Sequence, residues 1–278
     1  MQRRFSRDVI TIVVIVTVLA VAITAGVFVL INRFTTFTEA TEGCRITTPD
    51  GSLDLEIEQA QIAAVIAGVA HRRKLPERAV VIAYATGIQE SKLENISYGD
   101  RDSLGVFQQR PSQGWGTPEQ LLDPVYATGK FFSALVKVKN YRKIPLHEAA
   151  QEVQRSADGS LYAQHEDNAK ILAAAFTGRV PRAVHCWFSP EGDEKTPAPA
   201  PAPDEARREL ARNLGSGTTL DVSSRKRGWL IATWSLAHAQ KYGLRRVRYD
   251  GHAWNVTAGE EGGWQADAEA SRERVQLS

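Results

Sequence analysis

The sequence predicts a mainly α-helical domain, preceded by an N-terminal transmembrane helix and followed by a small C-terminal α/β domain. Three observations lead to this prediction: an uncharged apolar run near the N-terminus, a series of segments with apolar residues at helical spacing, and an alternating proline segment before the tail. A length of 278 residues is enough for one or two domains. The 34 Lys and Arg nearly balance the 32 Asp and Glu, which argues against a nucleic-acid binder, since such proteins carry a strongly basic face.

The first element is the apolar run at residues 9–31, which contains no charged side chain. A bilayer-spanning helix needs about 20 such residues, so the run predicts an uncleaved membrane anchor. Three arginines within residues 1–8 precede it and only Arg33 follows closely, which places residues 1–8 in the cytoplasm and the later domains outside the membrane. A cleaved signal peptide, with residues 20–22 resembling a cleavage site, and a buried soluble helix remain as alternatives.

Two cysteines are too few for a disulfide scaffold or a Cys-rich zinc site. Cys44 and Cys186 lie at the two ends of the predicted helical domain, residues 44–188. Because a disulfide persists outside the cell membrane, a bond between them would join the ends of that domain; two free thiols are the alternative. We expect neither a metal nor a cofactor, since the histidines lack metal-ligand spacing. The histidines considered are His71, His147, His165 and His185.

Helical spacing of apolar residues organises the domain at 44–188. A proline and a glutamate start the second helix, as is common in a first turn. Residues 94–118 are rich in glycine and proline and predict a long loop. No well-spaced series of alternating strands is present, so the domain is expected to be mainly α. The predicted helices span residues 54–74, 75–91, 124–136, 146–156 and 162–176.

A Pro/Ala-rich linker is predicted at residues 189–204, because alternating prolines suit neither a helix nor a central strand. The tail, residues 205–278, is predicted to form a small α/β accessory domain. Asp250-Gly251 is typical of a turn after a strand. The predicted tail elements are helices at residues 205–214 and 228–242, a strand at 245–249 and a second strand at 253–255.

Glu90 is the strongest candidate for chemistry. It lies at the predicted C-terminal end of the second helix, where the partial negative charge of the helix disfavours a further anion. The helix is apolar enough to be central, and desolvation also disfavours a carboxylate. A carboxyl that holds its proton is what a general acid requires. A solvated glutamate at a helix end is the alternative interpretation.

The surrounding motifs resemble those of the lysozyme-like lytic transglycosylase superfamily, an α+β superfamily. In order, the chain carries a Glu-Ser pair at a helix end, a Gly-Val-Phe-Gln counterpart of the Gly-Leu-Met-Gln motif, and a downstream Asp-Pro that opens a helix. The resemblance is greatest to membrane-anchored bacterial proteins that cleave peptidoglycan, and it covers roughly residues 50–178. The strings are Gln89-Glu-Ser-Lys-Leu93, Gly99-Asp-Arg-Asp-Ser-Leu-Gly-Val-Phe-Gln-Gln-Arg-Pro111, Gly114-Trp-Gly-Thr-Pro118 and Leu122-Asp-Pro124.

The resemblance implies a role for each matched residue. Glu90 would be the catalytic acid, and Ser91 would orient it or contact the sugar. Gly105 would allow a close backbone approach, while Phe107 and Gln108 would line the cleft.

The family's third motif, usually Ala-Tyr-Asn, is absent. Gln154 and Tyr162 occupy about the right place, and they are the candidates for holding the acetamido arm of the substrate, with ordinary packing as the alternative. Four aromatic residues, Trp115, Tyr98, Phe107 and Tyr126, could stack on sugar rings or pack in the core. Trp115 stands between two glycines and is the one most expected to be exposed.

The resemblance implies cleavage of the bond between N-acetylmuramic acid and N-acetylglucosamine in peptidoglycan glycan strands, with Glu90 as acid and then base. A glycosidase of the two-carboxyl type needs a second acid about 5–10 Å away. Asp100 and Asp102 are the nearby candidates, and either could also be a turn former. If one positions a water, the enzyme is a muramidase. A non-catalytic peptidoglycan-binding or scaffold protein with a lysozyme-like fold is the further alternative.

The tail weakly resembles a C-terminal module of bacterial cell-wall proteins. That module usually ends in a His-x-His string, whereas this chain ends without histidine, so the resemblance implies binding rather than metal chemistry. Arg245, Arg246 and Arg248 could contact an anionic wall polymer. A solvated charged strand edge that prevents pairing is the alternative.

Overall fold

The protein is described from a computed structural model that covers residues 7–35, 42–156, 158–189, 199–215 and 219–278. The chain divides into two compact units, Met1–Thr41 and Glu42–Ser278. Helices dominate the described residues, and they are accompanied by two small antiparallel sheets.

Helix α1 (Arg7–Thr35) belongs to the first unit and covers the apolar run at residues 9–31. In the part of the chain that the structure describes, no helix combines the length and apolarity that crossing a membrane requires. The transmembrane helix is therefore not supported by the structure and stays a prediction.

Two apolar helices form the centre of the second unit. α2 (Ile57–Arg72) and α3 (Glu77–Ser91) pack against each other and are buried along most of their lengths. Their alanine and valine side chains allow close packing on several faces. Short helices from the rest of the domain surround this pair. They are α4 (Pro118–Leu121), α5 (Pro124–Leu135), α6 (Leu146–Gln154), α7 (Ser160–Ala163) and α8 (Glu166–Phe176).

A three-stranded antiparallel sheet joins the two ends of this helical region. β1 (Gly43–Thr48) lies between β2 (Gly51–Leu55) and β3 (Val184–Trp187). The prediction of helix from residue 54 was wrong at its start, because residues 51–55 pair with β1 and α2 begins at Ile57. The domain is mainly helical, as predicted, and the sequence analysis did not predict this small sheet, because β1 and β3 pair over a long sequence separation.

The predicted disulfide is confirmed. Cys44 on β1 lies directly opposite Cys186 on β3, and the two are bonded. The bond closes a loop with a sequence separation of 142 residues. In the loop-entropy model a loop of this length contributes about 4–5 kcal/mol to stability.

The tail contains two helices and a second antiparallel sheet. Residues 190–198 of the predicted linker lie outside the described residues, and the chain resumes at residue 199. Ser224 caps the second tail helix by accepting a hydrogen bond from the Arg227 backbone N–H at 3.3 Å. The helices are α9 (Pro203–Leu214) and α10 (Arg225–Ala237). The strands are β4 (Arg246–Tyr249), β5 (His252–Asn255), β6 (Gln265–Ala266) and β7 (Gln276–Leu277), in the order β6-β5-β4-β7.

The tail packs onto the helical region, and both lie within one compact unit. The accessory domain at residues 205–278 stays a prediction. On α9, buried Asn213 donates a hydrogen bond to the Val65 carbonyl of α2 at 3.1 Å. At the first sheet, the indole N–H of Trp254 donates to the Cys186 carbonyl at 2.9 Å. Both hydrogen bonds join the tail to the helical region, and the packing around them buries surface that an isolated small domain would leave exposed.

Candidate active site

Glu90 lines a groove of about 310 Å³ that forms where three chain segments meet. The segments are the end of α3, the loop at residues 100–115 and the end of α6. Apart from one tryptophan, every lining residue carries a polar or charged side chain, which suits a hydroxyl-rich ligand. The lining residues are Glu90, Asp100, Ser103, Gln108, Gln109, Arg110, Gln113, Trp115, Gln154, Arg155 and Ser156.

The carboxyl group of Glu90 accepts a short hydrogen bond from Tyr162. The phenolic O–H donates to Oε1 of Glu90 at 2.7 Å, and the tyrosine itself is 2% exposed. Burial raises the pKa of Tyr162, and the adjacent Glu90 carboxyl raises it further, so the phenol keeps its proton and acts as a donor. Glu90 is half-buried, with one oxygen fixed by the protein while its residue opens on the groove.

The C-terminal cap of α3 fixes the position of Glu90. Lys92 takes a left-handed conformation with φ of 58°, and its backbone N–H bonds the Ile88 carbonyl at 3.0 Å. The next N–H, of Leu93, reaches the Gly87 carbonyl at 3.0 Å, and Leu93 is left-handed as well, with φ of 64°. The two left-handed residues turn the chain back and satisfy carbonyls at the helix end. Leu93 is buried and packs where Gly87 has no side chain. The helix therefore stops immediately after the Glu-Ser pair.

Ser91 connects this helix end to the groove loop. Its hydroxyl donates to the Val106 carbonyl at 2.8 Å and is buried, so it positions the loop relative to α3. Gly105 has φ of 72°, and a Cβ there would overlap the Leu121 carbonyl oxygen. The close approach expected of Gly105 is thus made to the protein's own backbone.

The two candidate second acids occupy different environments. Asp102 accepts hydrogen bonds from the Arg110 guanidinium at 2.8 Å, and from the backbone N–H and the hydroxyl of Ser112 at 2.8 and 3.0 Å. Arg110, with help from Ser112, holds the pKa of Asp102 well below its usual range. Asp102 is therefore a loop-stabilising carboxylate outside the groove lining. Asp100 is exposed and lines the groove with Glu90.

Phe107 and Gln108 diverge from each other. The Phe107 ring is fully buried and stacks on Phe131, with ring centroids 4.4 Å apart, so its side chain supports the groove from the core instead of lining it. Gln108 lines the groove, with φ of 44°, and its amide donates to the Gly105 carbonyl at 3.1 Å. The one-residue offset around a tight turn sends the neighbouring side chains to opposite sides.

Of the two third-motif candidates, Tyr162 contacts Glu90 and Gln154 contacts the groove loop. Gln154 lines the groove, and its amide donates to the Phe107 carbonyl at 2.8 Å, which ties α6 to the loop.

Among the aromatic candidates for sugar stacking, Trp115 lines the groove and is partly buried. Tyr126 donates to the Trp115 carbonyl at 3.4 Å and lies outside the lining, as does Tyr98, which is 73% exposed.

Several groove residues were missed from the sequence. Gln109 and Arg110 directly follow the Phe-Gln motif, and Arg155 and Ser156 directly follow the candidate Gln154. Gln109 is buried, and its amide nitrogen donates to the Ala127 carbonyl at 3.3 Å. In the sequence, these residues are marked only by standing next to motif residues. No residue pattern distinguishes the side of a loop that faces the groove from the side that faces the core.

The arginines predicted at the tail strand are largely paired within the protein. Arg246 and Arg248 both donate to Asp267, each at 2.8 Å, and Arg248 also reaches Glu269 at 3.0 Å. Asp267 thereby offsets much of the charge that was proposed to meet an anionic polymer.

Within the described residues, no group of three or more histidine, cysteine, aspartate or glutamate side chains comes together in a way that could hold a metal ion. The chain matches no protein-family model and no curated protein sequence. A functional assignment therefore depends on the geometry of the groove and on the motifs around it.

Proposed function

We propose that this protein is a peptidoglycan lytic transglycosylase that cleaves between N-acetylmuramic acid and N-acetylglucosamine. The observation that carries the proposal is the Tyr162–Glu90 hydrogen bond of 2.7 Å at the wall of a polar groove. This bond holds one carboxyl oxygen of Glu90 in place at the groove wall, and a fixed position is the first requirement of a general acid.

In the proposed reaction, Glu90 donates its proton to the glycosidic oxygen as the bond from that oxygen to C1 of the muramoyl residue breaks. The substrate's own N-acetyl oxygen supports the positive charge at C1. Glu90, now a carboxylate, accepts the proton of the muramoyl 6-hydroxyl, whose oxygen bonds to C1 and closes a 1,6-anhydro ring. Glu90 ends the cycle protonated, and no second carboxyl is required. Trp115 offers a ring face to a sugar in the same groove.

A muramidase is the second candidate, because Asp100 lines the groove together with Glu90. If Asp100 positions a water on the opposite face of the sugar, hydrolysis replaces ring closure. Asp102 is a poorer candidate for this role, since its oxygens are already engaged by Arg110 and Ser112.

The proposal includes a membrane tether. The described apolar side chains of α1 are exposed, from 48% at Val27 to 65% at Ile23, and an exposed apolar surface of this kind needs a covering environment. We expect the full chain to remain with the membrane fraction after a high-salt wash, with the catalytic unit outside the cell membrane. Release of the intact chain by salt alone would contradict the tether.

The decisive experiment is digestion of purified peptidoglycan by the full chain, with the soluble products analysed by mass spectrometry. Anhydro ends are expected, whereas reducing ends would identify a muramidase. Glu90→Gln is expected to abolish product release, because the amide has no proton to donate at the glycosidic oxygen.

Glu94→Gln is the matched control: it makes the same change four residues later, outside the groove lining, and should leave product release unchanged. Undiminished release by Glu90→Gln would contradict the assignment. Intact glycan with the wild-type chain, together with retained binding, would point to a non-catalytic wall-binding protein.

A further inference from the structure

The charged side chains of the groove are not equivalent. Arg110 is engaged by Asp102 at 2.8 Å, so its charge is largely offset. Arg155 is exposed and lines the groove, and it forms no ion pair with any residue that the structure describes. It is therefore the guanidinium of the lining that remains available to a ligand.

Arg155 has a fixed place on the rim. It ends α6 in a left-handed conformation with φ of 53°. The residue before it, Gln154, is tied to the Phe107 carbonyl at 2.8 Å, and the carbonyl of the residue after it, Ser156, accepts from Gln151 at 3.2 Å. The backbone that carries this side chain is anchored on both sides, so binding does not have to order the chain at this point.

We propose that Arg155 is a specificity-determining residue that binds a carboxylate carried by the 3-O substituent of the substrate's muramoyl residue. The inference rests on the proposed function and deepens it, because it names the residue that recognises the acidic substituent of the glycan. A planar guanidinium matches a carboxylate with two parallel N–H donors. A neutral N-acetylglucosamine polymer carries no such group, so Arg155 separates the acidic glycan from the neutral one.

The carboxylate that Arg155 binds could come from either of two parts of this substrate. The lactyl group itself ends in a free carboxylate when no peptide is attached, and a stem peptide supplies carboxylates farther from the ring. Both bring an anion to the same side of the sugar, where the carboxylate of Asp100 in the groove lining repels it. Arg155 offsets that repulsion locally.

The test measures binding by isothermal titration calorimetry with the full chain carrying Glu90→Gln, so that the ligand stays intact. The probes are a (GlcNAc–MurNAc)₂ tetrasaccharide with free lactyl carboxylates, the same tetrasaccharide with stem peptides, and neutral chitotetraose. Adding Arg155→Ala is expected to weaken binding of at least one acidic probe by about 10- to 100-fold, the range for a charge-assisted hydrogen-bonded pair. Binding of chitotetraose should stay within about two-fold.

The controls separate charge from position. Arg208→Ala removes the same charge from an exposed site on α9, outside the groove, and should leave all three affinities unchanged. Arg155→Lys should retain part of the acidic-probe affinity, because lysine keeps the charge without the planar fork. Greater loss with the free-lactyl probe assigns the lactyl carboxylate, and greater loss with the peptide-bearing probe assigns a stem carboxylate; each supports the proposal.

The outcomes distinguish this inference from the proposed function. Equal weakening of acidic and neutral probes by Arg155→Ala, or no weakening of any, overturns the role of Arg155 while the glycan-cleavage assignment stands. Binding of none of the three probes, together with no digestion of peptidoglycan by the wild-type chain, overturns both.

Discussion

Arg212 on α9 donates two hydrogen bonds to the carboxylate of Asp123, at 2.8 and 3.1 Å. Asp123 is also the N-cap of α5, where it accepts from the Val125 backbone N–H at 3.0 Å. The tail thus holds the Leu-Asp-Pro string that the motif pattern singles out. The packing of α9 and the start of α5 are coupled through one carboxylate.

The coupling predicts unequal costs for the two partners. Arg212→Ala should lower the free energy of unfolding by about 0.5–1 kcal/mol, the range of a partly exposed ion pair. Asp123→Ala should cost about 1 kcal/mol more, since it also removes the cap. Asp123→Ser should cost about as much as Arg212→Ala, because serine keeps a capping oxygen. Urea denaturation of each variant and of the double variants measures these differences.

Arg208→Ala is the control for this set, because its ion pair with Glu205 is exposed and stays within α9. Its effect should be within about 0.5 kcal/mol. If Arg212→Ala and Asp123→Ser add without coupling in a double-mutant cycle, the two side chains do not interact in solution.

At Gly68, α2 and α9 pack too closely to leave room for a side chain. A Cβ at Gly68 would overlap Oδ1 of Asn213, whose amide donates to the Val65 carbonyl. Gly68→Ala should therefore destabilise the protein by about 1–3 kcal/mol, the usual range for overpacking. Gly129→Ala on α5 is the control, because a Cβ there meets no atom within 4 Å, and it should be neutral or stabilise by up to about 1 kcal/mol.

Thermal unfolding followed by circular dichroism checks both glycine variants. If Gly68→Ala is tolerated as well as Gly129→Ala, α9 does not lie against α2 at this point.

Because His238 is buried without charge, we expect the free energy of unfolding to fall in acid. It is 4% exposed, its ring stacks on Trp234 at 4.0 Å, and its Nδ1–H donates to the Trp234 carbonyl at 2.9 Å. Burial lowers the pKa of His238 to about 3. Because the unfolded chain binds the proton near pH 6.5 and the folded protein does not, stability is lost as the pH falls from about 6.5 towards 3. The expected loss is about 1.4 kcal/mol per pH unit in that window.

Denaturation at pH 7.5 and pH 5 measures this effect. His71 and His185, whose pKa values burial also lowers, act in the same direction, so the decisive comparison is with His238→Gln. That variant should reduce the loss between the two pH values by about 2 kcal/mol. His147→Gln, at a partly exposed position of α6, is the matched control. An equal acid loss with and without His238 would contradict the prediction.

Local pattern was enough for much of the helical framework. α3 ends at Ser91 and α8 ends at Phe176, where the apolar spacing and its interruption predict. The single helix predicted over residues 162–176 is in fact α7 and α8, and the side chains at the break, Gln164 and His165, both contact Gln89. The break is therefore set by a tertiary contact that periodicity does not record.

Long-range pairing explains most of what the pattern did not predict. β1 and β3 are short and far apart in the sequence, and their register is set by contacts such as Cys44 to Cys186. Asp102 lies outside the groove lining because it pairs with Arg110, whereas Asp100 lines the groove. Phe107 is buried because its ring stacks on Phe131. Such choices follow from which side of a loop faces the core, and both sides carry similar residue types in the sequence.

Tyr162 is expected to act as a positioning residue for Glu90. Tyr162→Phe removes the O–H that donates to Oε1 of Glu90 at 2.7 Å while keeping the buried ring. Cleavage of peptidoglycan should fall by about 10- to 100-fold, in line with a hydrogen bond to a charged group of about 1.5–3 kcal/mol. The loss should fall on kcat, with KM within about two-fold, because the tyrosine contacts the acid and not the substrate. Tyr84→Phe on α3, which removes a buried hydrogen bond to the Ala63 carbonyl, should lower stability by about 1 kcal/mol and leave kcat within about two-fold. An unchanged kcat for Tyr162→Phe would mean that the tyrosine contributes packing alone.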